Sequence, residues 1–318
     1  MGRFNELGNK FAGFLKNRKA QPSEPENQSY ETNGHPYRTI SPEDMAILQR
    51  QEVGSNFALA ESIMNRENYQ GYMGPEQVKK AFGIDLDPKL IPEIPFSQVD
   101  LEKARELGQF LVLRVDKAPD GQPLTMEKME NILQPKFDQE RKGRVFWKFL
   151  DRVRVFFKED APSLGWALTS KEVIPGSIKK NYLVQTQAIA EYLQKQVFPN
   201  ERDRPQIYKD AIAEFEQQQD ELAKLMKTDW KKAAKRLSEL KINQLCRQTA
   251  NNAMYDTSIH FQNTGKRLLE RIYTWTKSLS PFGRLVGFGR ADSWGAGVFW
   301  RYPANADGDM GVVFSRSQ

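Results

Sequence analysis

The side chains in this chain best suited to covalent or metal chemistry are few: one cysteine, Cys246, and two histidines, His35 and His260. A thiol with an imidazole beside it is the minimal nucleophile–base pair, and Cys246 and His260 fall in the same predicted helical region. The simpler reading of a lone cysteine in a helix is a small buried apolar side chain. His35 lies in a stretch rich in Pro, Ser, Glu and Asn, so a two-histidine metal site has no support, and one cysteine cannot complete a Cys/His zinc site. Gly287-x-Gly289 has two glycines of a dinucleotide-binding loop but neither the full pattern nor a following helix. Carboxylates abound, yet none sits in an apolar run that would tune one against another. The expectation is a protein with no catalytic residues, no metal and no cofactor, acting by binding and not as an enzyme.

The elements that would hold these residues are mostly helical at first. The chain has 318 residues, room for one large domain or two ordinary ones, and a single cysteine excludes an internal disulfide framework. Its net charge of +6 permits nucleic-acid or anionic-surface binding, but 41 acidic residues interspersed with the basic ones describe solvated faces. No apolar run approaches the roughly 20 residues of a membrane span, and Met1–Arg18 has no signal-peptide core. A cytoplasmic location is the default expectation, with surface or virion display by another route left open. Phe4, Leu7, Phe11 and Leu15 recur at helical spacing beside Lys10, Lys16 and Arg18. That segment suits a partner, a membrane surface or the protein's own body. Residues 1–40 read as a flexible N-terminal segment, with a linker from Ala20 to Pro36.

Residues 41–160 read as a helix-rich region. Ser41-Pro42-Glu43-Asp44 is a helix start, and further helices are predicted near Phe57–Arg66, Gln77–Phe82, Asp100–Leu107 and Thr125–Leu133. Phe110–Val115 is the clearest strand, and Asp120-Gly121 a turn. Val145–Phe157 mixes aromatics with basic residues and fits either a strand pair or a buried helix. Beyond residue 160, Leu164–Leu168 reads as a short strand and Tyr182–Gln196 as a helix. Gln206–Lys227 and Asp229–Leu240 form a helical hairpin, an insertion spanning about 200–243.

One region departs from this composition. Lys, Glu and Gln make up about a quarter of the rest of the chain, yet none occurs from Ser278 to Ser317, a stretch crowded with Gly, Arg, Asp, Ser and aromatics. Around it lie Arg247-Gln248-Thr249-Ala250-Asn251-Asn252-Ala253-Met254-Tyr255-Asp256, then Tyr273-Thr274-Trp275, then Asp292-Ser293-Trp294, and finally Gly311–Arg316. In order and spacing these resemble the C-type lectin fold in the branch shared with formylglycine-generating enzymes. That branch has a helix opening like R-L-P-T-E-A-E-W-E-Y, a Y-P-W-G step, a G-G-S-W loop and a closing strand like G-F-R-L-A-R. The resemblance covers the last 75 residues or so, and about 155 if Ser163–Gln196 supplies the first strand and helix. It implies an α+β protein, with a helix-rich N-terminal portion followed by a C-type-lectin-like domain (161–318) that carries the helical hairpin insertion.

The enzyme branch of that fold needs cysteines or a histidine-based metal site near the C-terminus, and this chain has neither. The other branch is the variable proteins of diversity-generating retroelements, which implies a bacterial or phage protein with a hypervariable region, here about 278–318. There, error-prone reverse transcription replaces adenines in a repeat at the gene's 3′ end. Asn codons so altered yield Phe, Tyr, Ser, Arg, Asp, Gly and Ala but not Lys, Glu, Gln, Met or Trp. Trp294, Trp300 and Met310 are then fixed or come from other codons. The resemblance implies a binding face made by Phe288, Arg290, Ala291, Ser293, Trp294, Phe299, Trp300, Arg301, Tyr302, Ala304, Asn305 and Asp307, a mix suited to adaptable recognition. Leu285, Val286, Val298 and Gly311–Phe314 would be its frame, with Tyr273 and Trp275 beneath. The implied partner is a variable ligand, a protein or cell-surface molecule. The alternative is a nucleic-acid-binding or phage-associated structural protein using Val145–Lys158 and the C-terminal arginines on phosphate.

Overall fold

A computed structural model of the chain describes residues 56–147 and 154–317. The segment 1–40 and the helix expected from Ser41 lie outside the described residues. The first described helix, α1, occupies residues 56–64. Gly74 precedes α2 (Pro75–Phe82), with Pro75 at its first position and the Gln77 side chain accepting from the Gly74 N–H at 3.0 Å. Gly83, at φ 71°, ends it. Ser97 and Asp100 form a reciprocal capping box at the start of α3 (Gln98–Glu106). Thr125 caps α4 (Met126–Gln139), which runs on past its expected end because Pro135 is accommodated inside the helix. Of the ambiguous stretch 145–157, residues 148–153 lie outside the described residues. Phe146 makes a single parallel bridge to Ala296, and α5 (Arg154–Glu159) follows.

The strands form two four-stranded sheets. In the first, β1 (Tyr72–Met73), β2 (Gln109–Arg114), β3 (Gly165–Val173) and β8 (Val313–Arg316) lie in the order β1-β2-β3-β8. In the second, β4 (Tyr273–Leu279), β5 (Leu285–Asp292), β6 (Gly295–Arg301) and β7 (Met310–Gly311) lie in the order β6-β5-β4-β7. Because β7 and β8 are separated only by Val312, the closing segment passes directly from one sheet to the other. Every residue of β2 is buried, as a strand covered on both faces requires. The fold is α+β, helical in its N-terminal part and richer in sheet toward the C-terminus.

Two apolar cores result. The first joins α2, α4 and α10 (Ala250–Thr264) to β2 and to one face of β5 and β6. The second joins α6 (Tyr182–Tyr192), α7 (Gln206–Thr228), α8 (Trp230–Glu239) and α9 (Lys241–Cys246) to Trp275, Leu285, Met310, Val312 and Phe314. Asp229 ends α7 and caps α8 by accepting from the Lys232 N–H at 3.1 Å, which makes the expected hairpin. Helix α10 is buried nearly all round, from Ala250 to Phe261, as expected for a central helix. The boundary expected near residue 160 is not a structural division. Strand β2 pairs with β3 across it from Gln109↔Ser170 to Arg114↔Gly165, and all described residues belong to one unit, Ala46–Gln318.

A buried ion pair holds these pieces in register. Arg114 Nε and Nη2 on β2 donate to the two carboxylate oxygens of Asp256 on α10, at 3.0 and 2.6 Å. Arg114 Nη2 also reaches Thr169 Oγ1 on β3 at 3.2 Å and Ser315 Oγ on β8 at 2.9 Å, and Gln248 donates to Asp256. This explains why β3 outruns its apolar run: Thr169 and Ser170 are polar but buried, and the Thr169 hydroxyl belongs to the network. Removing one member leaves a charge stranded in the core. Asp256→Ala is expected to destabilise by about 3–5 kcal/mol in urea unfolding, and the double change Arg114→Met/Asp256→Leu by clearly less than the two single changes summed.

Candidate ligand-binding face

Strands β4, β5 and β6 make an antiparallel meander with Tyr273↔Gly289 and Gly287↔Phe299 in register. One face, carrying Val286, Phe288 and Val298, packs into the first core. On the other, helices of the second core cover Trp275, Leu285 and Met310. Beyond them the sheet surface consists of Gly287, Gly289 and Gly297 with the half-buried rings of Tyr273 and Phe299. The two rings meet edge to face, centroids 4.5 Å apart at 88°. They lie close on the backbone because the floor is glycine. A Cβ on Gly287 would stand 2.7 Å from the Phe299 ring, and one on Gly297 2.9 Å from the Tyr273 hydroxyl. Gly289 is the most constrained, with φ 158° and only 2.2 Å from its would-be Cβ to the Ile272 carbonyl oxygen.

Arginines and aspartates frame the rings. A bulge between Gly289 and Asp292 places Arg290 at φ 43°, a strained conformation for a residue with a side chain. Its guanidinium pairs with Asp309 at 2.8 Å and lies 5.7 Å from the Tyr273 ring centroid. Arg301 pairs with Asp307 at 3.3 Å and lies 4.8 Å from Phe299. Arg284 donates to the Tyr302 hydroxyl at 2.8 Å, and Tyr302 meets Trp230 of α8 edge to face at 4.7 Å. Each arginine is thus positioned by an aromatic ring and a polar partner, a semi-rigid arrangement with its outer edge open. Burial raises the pKa of Tyr273, so its hydroxyl is a neutral donor at physiological pH.

The expected residues divide between this face and its frame. Arg290, Phe299, Arg301, Tyr302 and Asp307 are on it. Asn305 shapes the adjacent turn, its side chain accepting from the Tyr302 N–H at 3.0 Å, and Ala304 is exposed there. Ser293 and Trp294 form the β5–β6 turn, where Trp294 is 74% exposed and its N–H donates to Asp292 at 2.7 Å. Trp147, 61% exposed, runs beside this hairpin, its N–H donating to the Ala296 carbonyl at 3.1 Å. Phe288 and Ala291 are not on the surface. Phe288 is 0% exposed and both belong to the first core, because side chains alternate along β5 and the bulge turns Ala291 inward. Trp300 is half-buried against the same core. Tyr273, expected beneath the surface, is part of it. Asp309, Arg284, Trp230 and Trp147 join this face although the expected ligand-binding residues do not include them. Asp309 and Arg284 lie inside the composition-shifted stretch, whereas nothing local to Trp230 in its amphipathic helix marks it.

Cys246 and His260 do not meet as a pair. Cys246 is buried in the second core, and burial pushes its thiol up to about 12. His260 packs on Phe110 of the first core, centroids 5.4 Å apart, with Nδ1 3.0 Å from the Lys266 carbonyl oxygen. Burial lowers its pKa to about 4. Among the described residues no group of three or more His, Cys, Asp or Glu is placed to hold a metal ion. No family model, curated protein or solved structure matches the chain.

Two outcomes follow from this geometry. Gly289→Ala, with backbone in the way of its Cβ, is expected to cost about 2 kcal/mol or more in chemical denaturation. His260 is held neutral in the fold, so its contribution is complete above its unfolded pKa of about 6.5 and is lost as pH falls from there toward 4. Wild type should lose about 2–3 kcal/mol more than His260→Gln between pH 7 and 4.5, measured by urea titration at each pH.

Proposed function

We propose that this protein is a recognition protein whose Tyr273/Phe299 face and adjoining Trp294 turn bind a protein or cell-surface molecule, on a C-type-lectin-like scaffold diversified by a retroelement. The observation that carries the reading is the arrangement of that face: rings and arginines held on a glycine-floored sheet end whose opposite side is a packed core. Such a surface can change its side chains without disturbing what lies beneath.

The placement of the motifs supports the scaffold. Arg247–Asp256 leads into helix α10, Tyr273–Trp275 begins β4, Asp292–Trp294 lies in the β5–β6 hairpin turn, and Gly311–Arg316 forms the closing strands. The closing strand β8 returns to pair antiparallel with β3, so the last 155 residues close on themselves. Burial supports the diversification. Met310, which altered Asn codons cannot give, is wholly buried, and Trp300 packs on the core, so both serve as frame. The exposed Arg290, Ser293, Arg301, Tyr302 and Ala304 are all of types such codons do give. Trp294 is the exposed exception and is read as a fixed anchor.

The charge pattern favours a protein ligand over nucleic acid. On this face Arg290 and Arg301 are paired with Asp309 and Asp307, so their charge is already met before any phosphate arrives. No helix among the described residues is long and apolar enough to cross a membrane. The decisive test is the DNA beyond the gene's 3′ end. A near-copy of the last codons differing mainly at adenines, beside a reverse-transcriptase gene, is expected; a downstream region with neither removes the retroelement reading. Binding to duplex DNA that weakens steeply with salt would instead establish the nucleic-acid alternative.

A further inference from the structure

A cleft of about 470 Å³ opens on another part of the molecule, between the end of β3 and the chain linking α10 to β4. Tyr69, Gln70, Lys171, His260, Leu269 and Ile272 are among its lining residues. Gln70 and Leu269 both have positive φ, 53° and 54°, so backbone strain gathers on two sides of this cleft. Lys171 extends its amine along one wall. Nζ donates to the Tyr69 carbonyl at 2.9 Å and lies 3.5 Å from the centroid of the Tyr69 ring.

No carboxylate among the described residues pairs with this amine. The charged groups around the cleft are Lys266, Arg267 and Glu270 on the linking chain and Glu172 on the strand itself. Arg267 is committed to the carbonyls of Ala291 and Lys142. His260 is neutral at pH 7. Burial, and secondarily the Lys266 ammonium, lower the Lys171 pKa to about 8, against the tendency of the Tyr69 ring to hold the ammonium. At pH 7 roughly a tenth of such amines carry a free lone pair, compared with less than about a thousandth for an ordinary lysine.

We propose that this cleft is a reaction site in which the Lys171 amine condenses with small aldehydes or ketones. The Nζ lone pair attacks the carbonyl carbon, and the carbonyl π pair moves to oxygen, which takes up a proton to give a carbinolamine. Loss of that oxygen as water, with the second amine proton, forms the C=N bond; water reverses the step. No oxidant or further reactant is consumed. The Tyr69 carbonyl orients the amine at the cleft wall, and the open cleft admits the carbonyl compound. This site is independent of the ligand-binding face.

The test is reductive alkylation of the full chain with propionaldehyde and sodium cyanoborohydride, read by peptide mass spectrometry. At pH 7, Lys171 is expected to be alkylated at least tenfold faster than the exposed Lys89 and Lys195, with a rate midpoint near pH 8. Lys266→Met, which removes the neighbouring ammonium, should raise that midpoint while Lys171 stays faster than Lys89, and loss of that advantage counts against the proposal. Lys171→Arg should abolish modification at that peptide. A Lys171 rate equal to that of Lys89, or a midpoint near pH 10, overturns the proposal.

Discussion

The Arg114–Asp256 pair is the constraint on which the rest of this structure depends. It joins β2 to α10 inside the first core, and its remaining hydrogen-bonding capacity is met by Thr169 of β3, Ser315 of β8 and Gln248. A charge pair taken out of water is tolerated only when its lone pairs and protons are satisfied. Here that condition is met only when four elements widely separated in sequence are assembled together. The closing strand therefore docks in one register, and Arg316, two residues from the chain end, adds a pair to Asp100 of α3 at 2.8 Å.

Fixing the closing strand fixes the proposed ligand-binding face. Strand β7 leads into β8 and pairs with β4 at Tyr273↔Met310, so the anchoring of one sheet sets the position of the other. The Tyr273 N–H donates to the Asp309 carbonyl at 2.8 Å, and Asp309 in turn holds Arg290. The strained Arg290 backbone is supported from behind, where its N–H donates to the Ile272 carbonyl at 3.0 Å. A packed, hydrogen-bonded interior thus ends in a surface where Arg290 and Arg301 meet the aspartates and rings of the same face, while the Tyr273 and Phe299 rings also rest against the second core.

Much of the frame was legible in the sequence. Thr125 and Asp229 stood at expected helix starts and cap those helices, and Phe110–Val115, apolar but for Arg114, was the clearest expected strand and makes up most of β2. What was not legible has a common physical cause. The polar Thr169 is buried because Arg114 of β2 and Asp256 of α10 meet its hydroxyl, and no local pattern encodes those partners. Val145–Phe157 could not be resolved because its bridge to Ala296 is tertiary. On the proposed ligand-binding face, composition marked the stretch but not its two sides. Period-two alternation would have turned Phe288 inward, whereas the bulge at Arg290 that buries Ala291 depends on Gly289 meeting Ile272 in space. Trp230 joined the surface only through a contact between a helical insertion and Tyr302.

The central claim is that side chains of this face vary freely on a frame that does not. The direct measurement is a library in which Arg290, Ser293, Phe299, Arg301, Tyr302, Ala304 and Asp307 are randomised together to the residue set of altered Asn codons, with thermal unfolding recorded for several dozen members. Most members should unfold cooperatively within about 5 °C of the parent, and different members should be selectable for different protein ligands. If most members fail to fold, or if none can be selected for a new ligand, the face is part of the core's support and the account is wrong.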